Sequence, residues 1–341
     1  MDPSAIAEAT RALATAEGFA KVGFATITPL ERESAWLDAW LGAGFHAGMA
    51  WMARSRDARI DPASLLPHAA TVAVLAMPYA HPRPPDPGGL TGQVSRYAWG
   101  RDYHNVVGKA LRRMQRALAE RFPGIGSYAS VDSRPVFERA WAVRAGLGWA
   151  GRSSCTLLPG HGSWVFLATL VLDVDLPASP PLEADCGACA RCLKACPTGA
   201  LVAPGRLDAR RCLSYLTIEH KGEIPEDIRP VMGRRVFGCD SCQQSCPHSP
   251  PPGHPAFAPR PGHAWLDLPA LLRVDDQAMQ RRLEGSPLRR AGATGLKRNA
   301  CVVLGNIGDP AALPSLAVAQ GHPDPVVRDH ARWAAERCRQ G

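Results

Sequence analysis

Cysteine spacing constrains this chain more than any other feature of its sequence. Four cysteines follow one another with gaps of two, two and three residues, and a proline comes directly after the last; they are Cys186, Cys189, Cys192 and Cys196. In bacterial-type ferredoxins such a run ligates iron–sulfur clusters, since one loop wraps three thiolates around a cluster while the fourth points to another. The run therefore predicts two clusters rather than one.

A second, incomplete copy of the motif follows some forty residues later. Cys239, Cys242 and Cys246 repeat its last three positions, but Val236 stands where the first cysteine belongs. Cys212, between the two motifs, can supply the missing ligand. The predicted ligands of cluster one are Cys186, Cys189, Cys192 and Cys246. The predicted ligands of cluster two are Cys196, Cys212, Cys239 and Cys242, which completes two [4Fe–4S] centres. Paired CxxC units also build zinc sites, but three cysteines in succession and two Cys-Pro endings favour iron–sulfur.

Length and composition restrict the class of protein further. A chain of 341 residues exceeds what one core usually supports, so we expect two or three domains. Neither a membrane-spanning stretch nor a signal peptide is recognisable, which predicts a cytoplasmic protein without a membrane partner. Because thiols stay reduced in that compartment, we expect no structural disulfides. We interpret the remaining cysteines, Cys155, Cys301 and Cys338, as buried apolar side chains rather than ligands.

The region before the cysteine motifs contains both helical and strand patterns. Apolar residues at helical spacing predict helices over 4–17, 106–121 and 134–145. Runs of β-forming residues predict strands over 71–76 and 164–173.

After the motifs the pattern changes. The proline-rich stretch 249–261 predicts a linker. Beyond it, apolar faces separated by Gly-Asp-Pro and His-Pro-Asp-Pro turns predict antiparallel helices; these faces lie within 296–304, 313–317 and 327–334.

Several longer motifs resemble the epoxyqueuosine reductase family. They are RYAWGRDYH (96–104), the block VDSRPVFERAWAVRAGLGWAGRSSCTLLPGHGSWVFLATLVLD (131–173), RRCLSYLTIEHKGEIPEDIRP (210–230), GCDSCQQSCP (238–247) and GLKRNACVVLGN (295–306). The combination is more specific than the cluster spacing alone and extends over most of the chain.

The resemblance implies a cobalamin-dependent enzyme that reduces epoxyqueuosine to queuosine at the wobble position of tRNA, with electrons relayed by two [4Fe–4S] clusters. It also implies an α+β protein with three parts. These are an α/β cobalamin-binding domain over 1–178, a ferredoxin-like domain over 179–250, and a HEAT-like helical segment over 263–341 that binds tRNA. The expected partners are tRNA carrying epoxyqueuosine and an external electron donor, and we expect a monomer.

Asp132 is the catalytic residue that the resemblance implies, because it matches the family's Val-Asp-Ser motif, whose aspartate donates a proton. Opening an epoxide requires protonation of the departing oxygen, and a carboxylic acid with a raised pKa suits that task. His104 lies near a glycine in a pattern that misses the cobalt-binding D-x-H-x-x-G spacing by one residue. We therefore interpret His104 as a polar residue that opens the helix over 106–121.

The resemblance also implies a set of residues that contact a cofactor or the substrate. The glycine- and hydroxyl-rich loop 151–163 allows backbone donors to approach a bulky polar cofactor. The expected residues are Tyr97, Arg139, Arg152, Ser154, Thr156, Ser163, Ser214, Asp240 and Gln243, the last three beside cluster ligands.

Basic residues are concentrated near the C-terminus. From Leu271 onward there are eleven basic and seven acidic side chains, which accounts for half of the net charge of +8. Four of the basic residues form a group that we predict to contact RNA phosphates: Arg289, Arg290, Lys297 and Arg298. A solvated helix face is the alternative for this group.

Two other functions use the same clusters. A reductive dehalogenase would also combine cobalamin with iron–sulfur centres, but it generally carries an export signal and needs no basic helical tail. A non-catalytic iron–sulfur electron carrier would not need the block 131–173.

Overall fold

The computed structural model describes residues 2–248, 250 and 253–340. Ser249, Pro251 and Pro252 of the predicted linker lie outside the described residues. The strands are β1 (Lys21–Thr26), β2 (Thr71–Pro78), β3 (Thr91–Val94), β4 (Ser127–Ser130), β5 (Trp149–Ala150), β6 (Thr156–Leu157), β7 (Val165–Leu172), β8 (Leu201–Ala203), β9 (Arg206–Leu207), β10 (Arg235–Phe237) and β11 (Trp265–Asp267). The α-helices are α1 (Pro3–Ala16), α2 (Glu31–Gly42), α3 (Trp51–Arg54), α4 (Arg56–Ile60), α5 (Tyr103–Arg121), α6 (Glu138–Arg144), α7 (Arg191–Ala195), α8 (Leu213–Ile218), α9 (Ser241–Gln244), α10 (Leu268–Arg273), α11 (Asp276–Arg282), α12 (Gly292–Ile307), α13 (Leu313–Gln320) and α14 (Pro325–Gln340). Short 3₁₀ helices cover Pro62–Leu65, Arg96–Ala98, Ala209–Arg211, Pro230–Met232, Pro255–Phe257, Pro287–Ala291 and Pro310–Ala312.

The N-terminal part is built on a four-stranded sheet with the order β1-β2-β7-β4. Every pair in this sheet is antiparallel. An α/β domain is normally built on parallel strands, so the α/β description of this part was wrong, although the mixture of helices and strands was predicted correctly. The central strands β2 and β7 are buried along nearly their whole length, which explains their unbroken apolar runs.

Helices cover both faces of this sheet. Helices α1 and α5 pack on one face, where Phe24, Leu75 and Met114 are fully buried. Helix α6 packs on the other face, where Trp141 is fully buried. Because α6 follows the edge strand β4, the loop between them lies at the rim of the sheet.

Predicted and observed helices differ mainly at their ends. The helix predicted over 106–121 begins earlier, at Tyr103, because the side chain of Asp102 accepts a hydrogen bond from the backbone of His104 and caps it. The helix predicted over 134–145 is confined to α6. Pro135 follows Arg134 in the sequence and disfavours a helical conformation there.

A second sheet joins three distant parts of the chain. Strand β3 is its centre and pairs with β10 in parallel and with β11 in antiparallel orientation. The described part of the predicted linker is also anchored. The backbone of Gly253 and that of His254 donate hydrogen bonds to Ala80 and Pro78, and Phe257 is buried in the N-terminal core. The prediction of a free linker was therefore wrong for these residues.

The C-terminal part is helical, as the sequence predicts. Helices α12 and α14 approach closely, since a Cβ on Gly305 would lie 2.5 Å from Trp333 and 2.9 Å from Ala334. Helix α12 also packs on α8 and β10, where the Asn299 amide donates to the carbonyls of Thr217 (2.8 Å) and Val236 (2.9 Å). The helices are thereby fixed to the cysteine-rich part.

Candidate functional site

The four thiols assigned to cluster one line a common cavity. Its volume is about 180 Å³, and its walls include Cys186, Cys189, Cys192 and Cys246. That space is far larger than the roughly 10–15 Å³ that a single water molecule needs on the same measure. In the described part of the chain, no group of His, Cys, Asp or Glu forms a site for a lone metal ion. The thiols surround a space of the kind that a polynuclear cluster requires.

The four thiols assigned to cluster two also lie close together. Burial, together with the neighbouring thiols of Cys239 and Cys196, raises the pKa of Cys212 to about 11. The thiol of Cys242 is affected by Cys239 and Cys212 in the same way. Helices α7 and α9 carry the two motifs and pack against each other, which brings the halves of the predicted relay together.

The remaining cysteines differ from one another. Cys301 and Cys338 are fully buried, as predicted. Cys155 is half-buried, and its thiol is hydrogen-bonded to that of Cys242. Cys155 is therefore less buried than predicted and lies beside a predicted cluster ligand, while its assignment as a residue that is not itself a ligand stays a prediction.

Asp132 occupies a strained turn between β4 and α6. Its φ is +49°, a left-handed conformation that is uncommon for residues other than glycine. Its backbone N–H donates to the Glu138 carboxylate at 2.9 Å, which fixes the turn. Its own carboxylate accepts a hydrogen bond from the Tyr103 hydroxyl, and the His104 Nε2 lies 3.3 Å away. The Asp132 side chain is 63% exposed, so a ligand can reach it.

The proton affinities of these groups are strongly coupled. Partial burial raises the pKa of Asp132, but the hydrogen bonds from His104 and Tyr103 outweigh it and leave the pKa lowered. Burial lowers the pKa of His104, but hydrogen bonds with Asp102 and Asp132 outweigh it and raise the pKa to about 9. Burial raises the pKa of Glu138 to about 7. The expectation of a raised pKa for Asp132 was wrong, because its neighbours stabilise the carboxylate.

Arg139 connects the acid to the cysteine-rich part. Its charge lowers the pKa of Asp132, and its Nη1 donates a hydrogen bond to the carbonyl of Ser154. Ser154 has a φ of +65°, and its buried hydroxyl has no hydrogen-bond partner in the described structure. Ser154 is followed by Cys155, which contacts Cys242. The series Arg139, Ser154, Cys155 and Cys242 therefore runs from a charge that acts on Asp132 to a predicted cluster-two ligand.

Other predicted site residues lie around this series. Arg152 lines the cavity of cluster one, and its Nη1 donates to the Gly187 carbonyl at 2.7 Å. The Gln243 amide donates to the Ser163 hydroxyl at 3.1 Å and to the Tyr79 hydroxyl at 3.1 Å. Ser163 and Gln243 thus link the N-terminal part to α9.

Tyr97 and Asp240 lie between the acid and cluster two. The Tyr97 and Tyr103 rings meet in a T-shaped arrangement with their centroids 6.3 Å apart. Burial raises the pKa of Tyr97 well above its ordinary value. Asp240 is buried and accepts hydrogen bonds from the Ser95 hydroxyl and from the Arg96 backbone at 2.9 Å.

Two predicted residues have simpler surroundings. Thr156 is buried in β6, and Ser214 offers its backbone N–H to the Cys212 thiol.

The predicted RNA-binding group divides into two pairs. Arg289 and Arg290 are exposed, and Arg290 pairs with Glu219 at 2.8 Å. Lys297 is buried and forms an ion pair with Asp276 at 2.7 Å.

Arg298 is 1% exposed, and its guanidinium donates to the backbone carbonyls of Leu216, His220 and Gly222. The predicted RNA contacts at Lys297 and Arg298 are therefore corrected, because neither side chain presents its charge to solvent.

Sequence reasoning missed three residues at the acid. Tyr103 and Glu138 contact Asp132 directly, and His104 contacts it from the first turn of α5 rather than merely opening that helix. The available signal was the run Asp102, Tyr103 and His104, in which a capping residue is followed by two side chains able to bond a carboxylate.

A search of the described helices for membrane spans found none that is both long and apolar enough.

Comparisons with known proteins agree with the geometry. A sequence model described as epoxyqueuosine reductase QueG, DUF1730, matches residues 59–133, and one described as a 4Fe-4S double cluster binding domain matches residues 185–249. A curated epoxyqueuosine reductase from Xanthomonas campestris pv. campestris is 40% identical over 98% of this chain and 96% of its own length. One from Pseudomonas aeruginosa is 40% identical over 98% and 95%.

Solved structures are similar along nearly the whole chain. A crystal structure of epoxyqueuosine reductase with an epoxyqueuosine-modified tRNA-Tyr stem loop superimposes with a TM-score of 0.90 at 31% identity, covering 98% of this chain and 90% of that one. The epoxyqueuosine reductase from Streptococcus thermophilus gives a TM-score of 0.89 at 26% identity, covering 98% and 91%.

Proposed function

The chain belongs to the epoxyqueuosine reductase family, and from that premise we propose how its residues carry out the reaction. Members of this family, this chain included, are oxidoreductases that reduce epoxyqueuosine. We propose Asp132 as the proton donor to the epoxide oxygen, with the electrons arriving from the cysteine-rich part. The single observation that carries this proposal is the exposed Asp132 carboxylate on its left-handed turn, which accepts a hydrogen bond from Tyr103 and faces the His104 imidazole.

The residues fit the cofactors that the family implies. The cavity of thiols suits one cluster, and the four thiols around Cys212 suit the other. Cobalamin carries many polar amide groups, and the buried, unpartnered Ser154 hydroxyl beside the Arg139 guanidinium is a surface of that polarity. We propose that Arg139, Ser154, Thr156 and Tyr97 hold cobalamin. When bound, cobalamin supplies a cobalt centre that can be reduced to a strong nucleophile.

The chain's own residues orient the substrate and supply protons. The strained turn presents the Asp132 carboxylate to the open side of the site, while the Glu138 carboxylate holds the turn through its backbone. Arg139 places a positive charge near Asp132, which stabilises the carboxylate after it has donated its proton. Asp132 would be the last donor of each proton to the departing oxygen.

We propose three functional parts with the boundaries given above: 1–178 for cofactor and substrate, 179–250 for the two clusters, and 263–341, with HEAT-like helices, for RNA. Arg289 and Arg290 would contact tRNA phosphates. The pKa of Arg290 is raised chiefly by its hydrogen bond with Glu219 and to a lesser extent by the negative charge of Asp132. We further propose that the substrate nucleoside occupies the wobble position of the tRNA. The protein would be a cytoplasmic monomer that receives its electrons from an external donor.

The test compares Asp132→Asn with the unchanged enzyme after both have received iron–sulfur clusters and cobalamin. Incubation with reductant and epoxyqueuosine-containing tRNA is followed by nucleoside analysis. Asp132→Asn should bind the cofactors normally, judged by their absorbance, and lose turnover by about 10²-fold or more. Asp227→Asn, an exposed carboxylate on the loop after α8, is the matched control. Normal turnover by Asp132→Asn would refute the acid role.

A further inference from the structure

The imidazole of His104 lies between two carboxylates. Its Nδ1 is 2.9 Å from Asp102 Oδ1, and its Nε2 is 3.3 Å from Asp132 Oδ2. A neutral imidazole has one N–H and can satisfy only one of these acceptors, whereas an imidazolium donates to both. The arrangement therefore favours a protonated His104 with a mobile proton facing Asp132.

The ring is held in this orientation by its neighbours. Asp102 also accepts from the backbone N–H of His104 at 3.0 Å, so one carboxylate fixes both the helix start and the ring. Tyr103 stacks on His104 with ring centroids 4.1 Å apart, and it also stacks on Phe166 with ring centroids 4.3 Å apart. A rotamer restrained in this way keeps Nε2 directed at Asp132.

The chemistry of the reaction requires a second proton. When an epoxide is reduced to an alkene, two C–O bonds break and the oxygen leaves as water, so the substrate takes up two electrons and two protons. The electrons come from the reductant that the reductase consumes. A carboxyl group carries one proton at a time, and Asp132 needs a source from which to be reprotonated while the site is closed by its substrate.

We propose that His104, oriented by Asp102, is the positioning residue that reprotonates Asp132 during each turnover. The Nε2 proton of His104 passes to the Asp132 carboxylate, which gives it to the epoxide oxygen. His104 is then neutral, with Nδ1–H donating to Asp102, and solvent restores its Nε2 proton. A second proton follows the same route to the same oxygen, which departs as water, and Asp132 ends the cycle as the carboxylate from which it began. The inference rests on the proposed acid role of Asp132.

Titratable and charged groups around the pair affect its pH dependence. His104 faces Asp102 and Tyr103, which lie with it at the start of α5. It also faces Asp132, which lies in the turn between β4 and α6. The groups that act on Asp132 in turn are Glu138, Arg139 and Arg290. The pKa of about 9 for His104 means that the donating form predominates at neutral pH and is lost as pH rises through that value. Loss of Glu138's proton near pH 7 is a separate event.

The first measurement is independent of turnover. NMR titration of histidine-labelled protein without cobalamin should give His104 a pKa of about 9, and Asp132→Asn should lower it. A His104 pKa at or below the ordinary ~6.5 would overturn the proposal.

The second measurement uses His104→Gln, which keeps a polar side chain but carries no transferable proton. Cluster absorbance verifies that the variant folds. Its single-turnover rate should fall by about 10²-fold, and the loss of rate above pH about 9 in the unchanged enzyme should disappear. An unchanged rate together with an unchanged alkaline limb would overturn the proposal. If Asp132→Asn also kept full turnover, the acid role itself would fail; if only His104→Gln did, this inference alone would fail.

Discussion

Replacement of Arg298 by methionine separates a structural role from an RNA-binding role. The guanidinium donates to the carbonyls of Leu216 (2.6 Å), His220 (2.8 Å) and Gly222 (2.7 Å). The first of these carbonyls is in α8, and the other two follow that helix. Arg298 is 1% exposed, so water cannot replace these donors without opening the contact. Methionine fills a similar length but donates nothing.

The expected cost follows from the three carbonyls. Each buried acceptor left without a donor costs about 1–3 kcal/mol. Relief from burying a guanidinium offsets part of this sum, since burial alone lowers the Arg298 pKa to about 10. We therefore expect a net loss of about 3 kcal/mol, which is roughly a hundredfold increase in the population with α12 undocked.

The assay combines unfolding with RNA binding at several salt concentrations. Arg298→Met should lower the urea midpoint and leave the salt slope of tRNA binding unchanged. Arg289→Ala, which replaces an exposed arginine three residues before the start of α12, should change stability by less than about 0.5 kcal/mol. The opposite result would be an unchanged urea midpoint with a slope of log affinity against log salt concentration that is smaller by about 0.7, the value for one phosphate contact. That result would refute the explanation that Arg298 holds α12 against α8.

Three further outcomes are expected. Folded Glu138 keeps its proton up to pH about 7, whereas an unfolded glutamate loses it near ~4.3, so stability should fall as pH rises between these values, by roughly 3 kcal/mol at most. Glu138→Gln should abolish that decline between pH ~4.3 and about pH 7 in thermal unfolding, and a decline that persists would contradict the buried-carboxyl explanation. Cys246→Ser removes one predicted ligand of cluster one, so reconstituted iron should fall from about eight atoms toward about four; Cys301→Ala, a buried thiol away from the predicted ligands, is the control, and full iron content in Cys246→Ser would contradict the ligand set. Arg290→Glu should weaken tRNA binding and flatten its salt dependence, and unchanged binding would remove Arg290 from the interface.

Local sequence patterns predicted the helices and strands that carry an unbroken apolar run or a regular apolar spacing. The unbroken apolar runs of β2 and β7 and the spacing in α1 and α5 identify these elements within a few residues. Pairing between distant segments carries no local signal. Strand β3 has only four residues, and its partners β10 and β11 lie more than a hundred residues later, so the second sheet could not be predicted.

The candidate site shows the same division. The four thiols that the cysteine spacing predicts for cluster one do line one cavity, but Cys242, predicted for cluster two, lines it as well. The division of the ligands between the two clusters stays a prediction. Clustered charge in the sequence was a poor guide to the RNA-binding surface at Lys297 and Arg298. A helix does not place adjacent residues on one common face, and both of these side chains are buried. The environment of Asp132 depends on α5 meeting the turn after β4, which only tertiary structure reveals.

The central claim is that Asp132 protonates the epoxide oxygen while electrons arrive through the cysteine-rich part. The most direct measurement is a single turnover of epoxyqueuosine-containing tRNA by the enzyme loaded with clusters and cobalamin, followed by nucleoside analysis. The account predicts queuosine from the unchanged enzyme and unreacted epoxyqueuosine from Asp132→Asn with equal cofactor content. Equal yields of queuosine from both would contradict it.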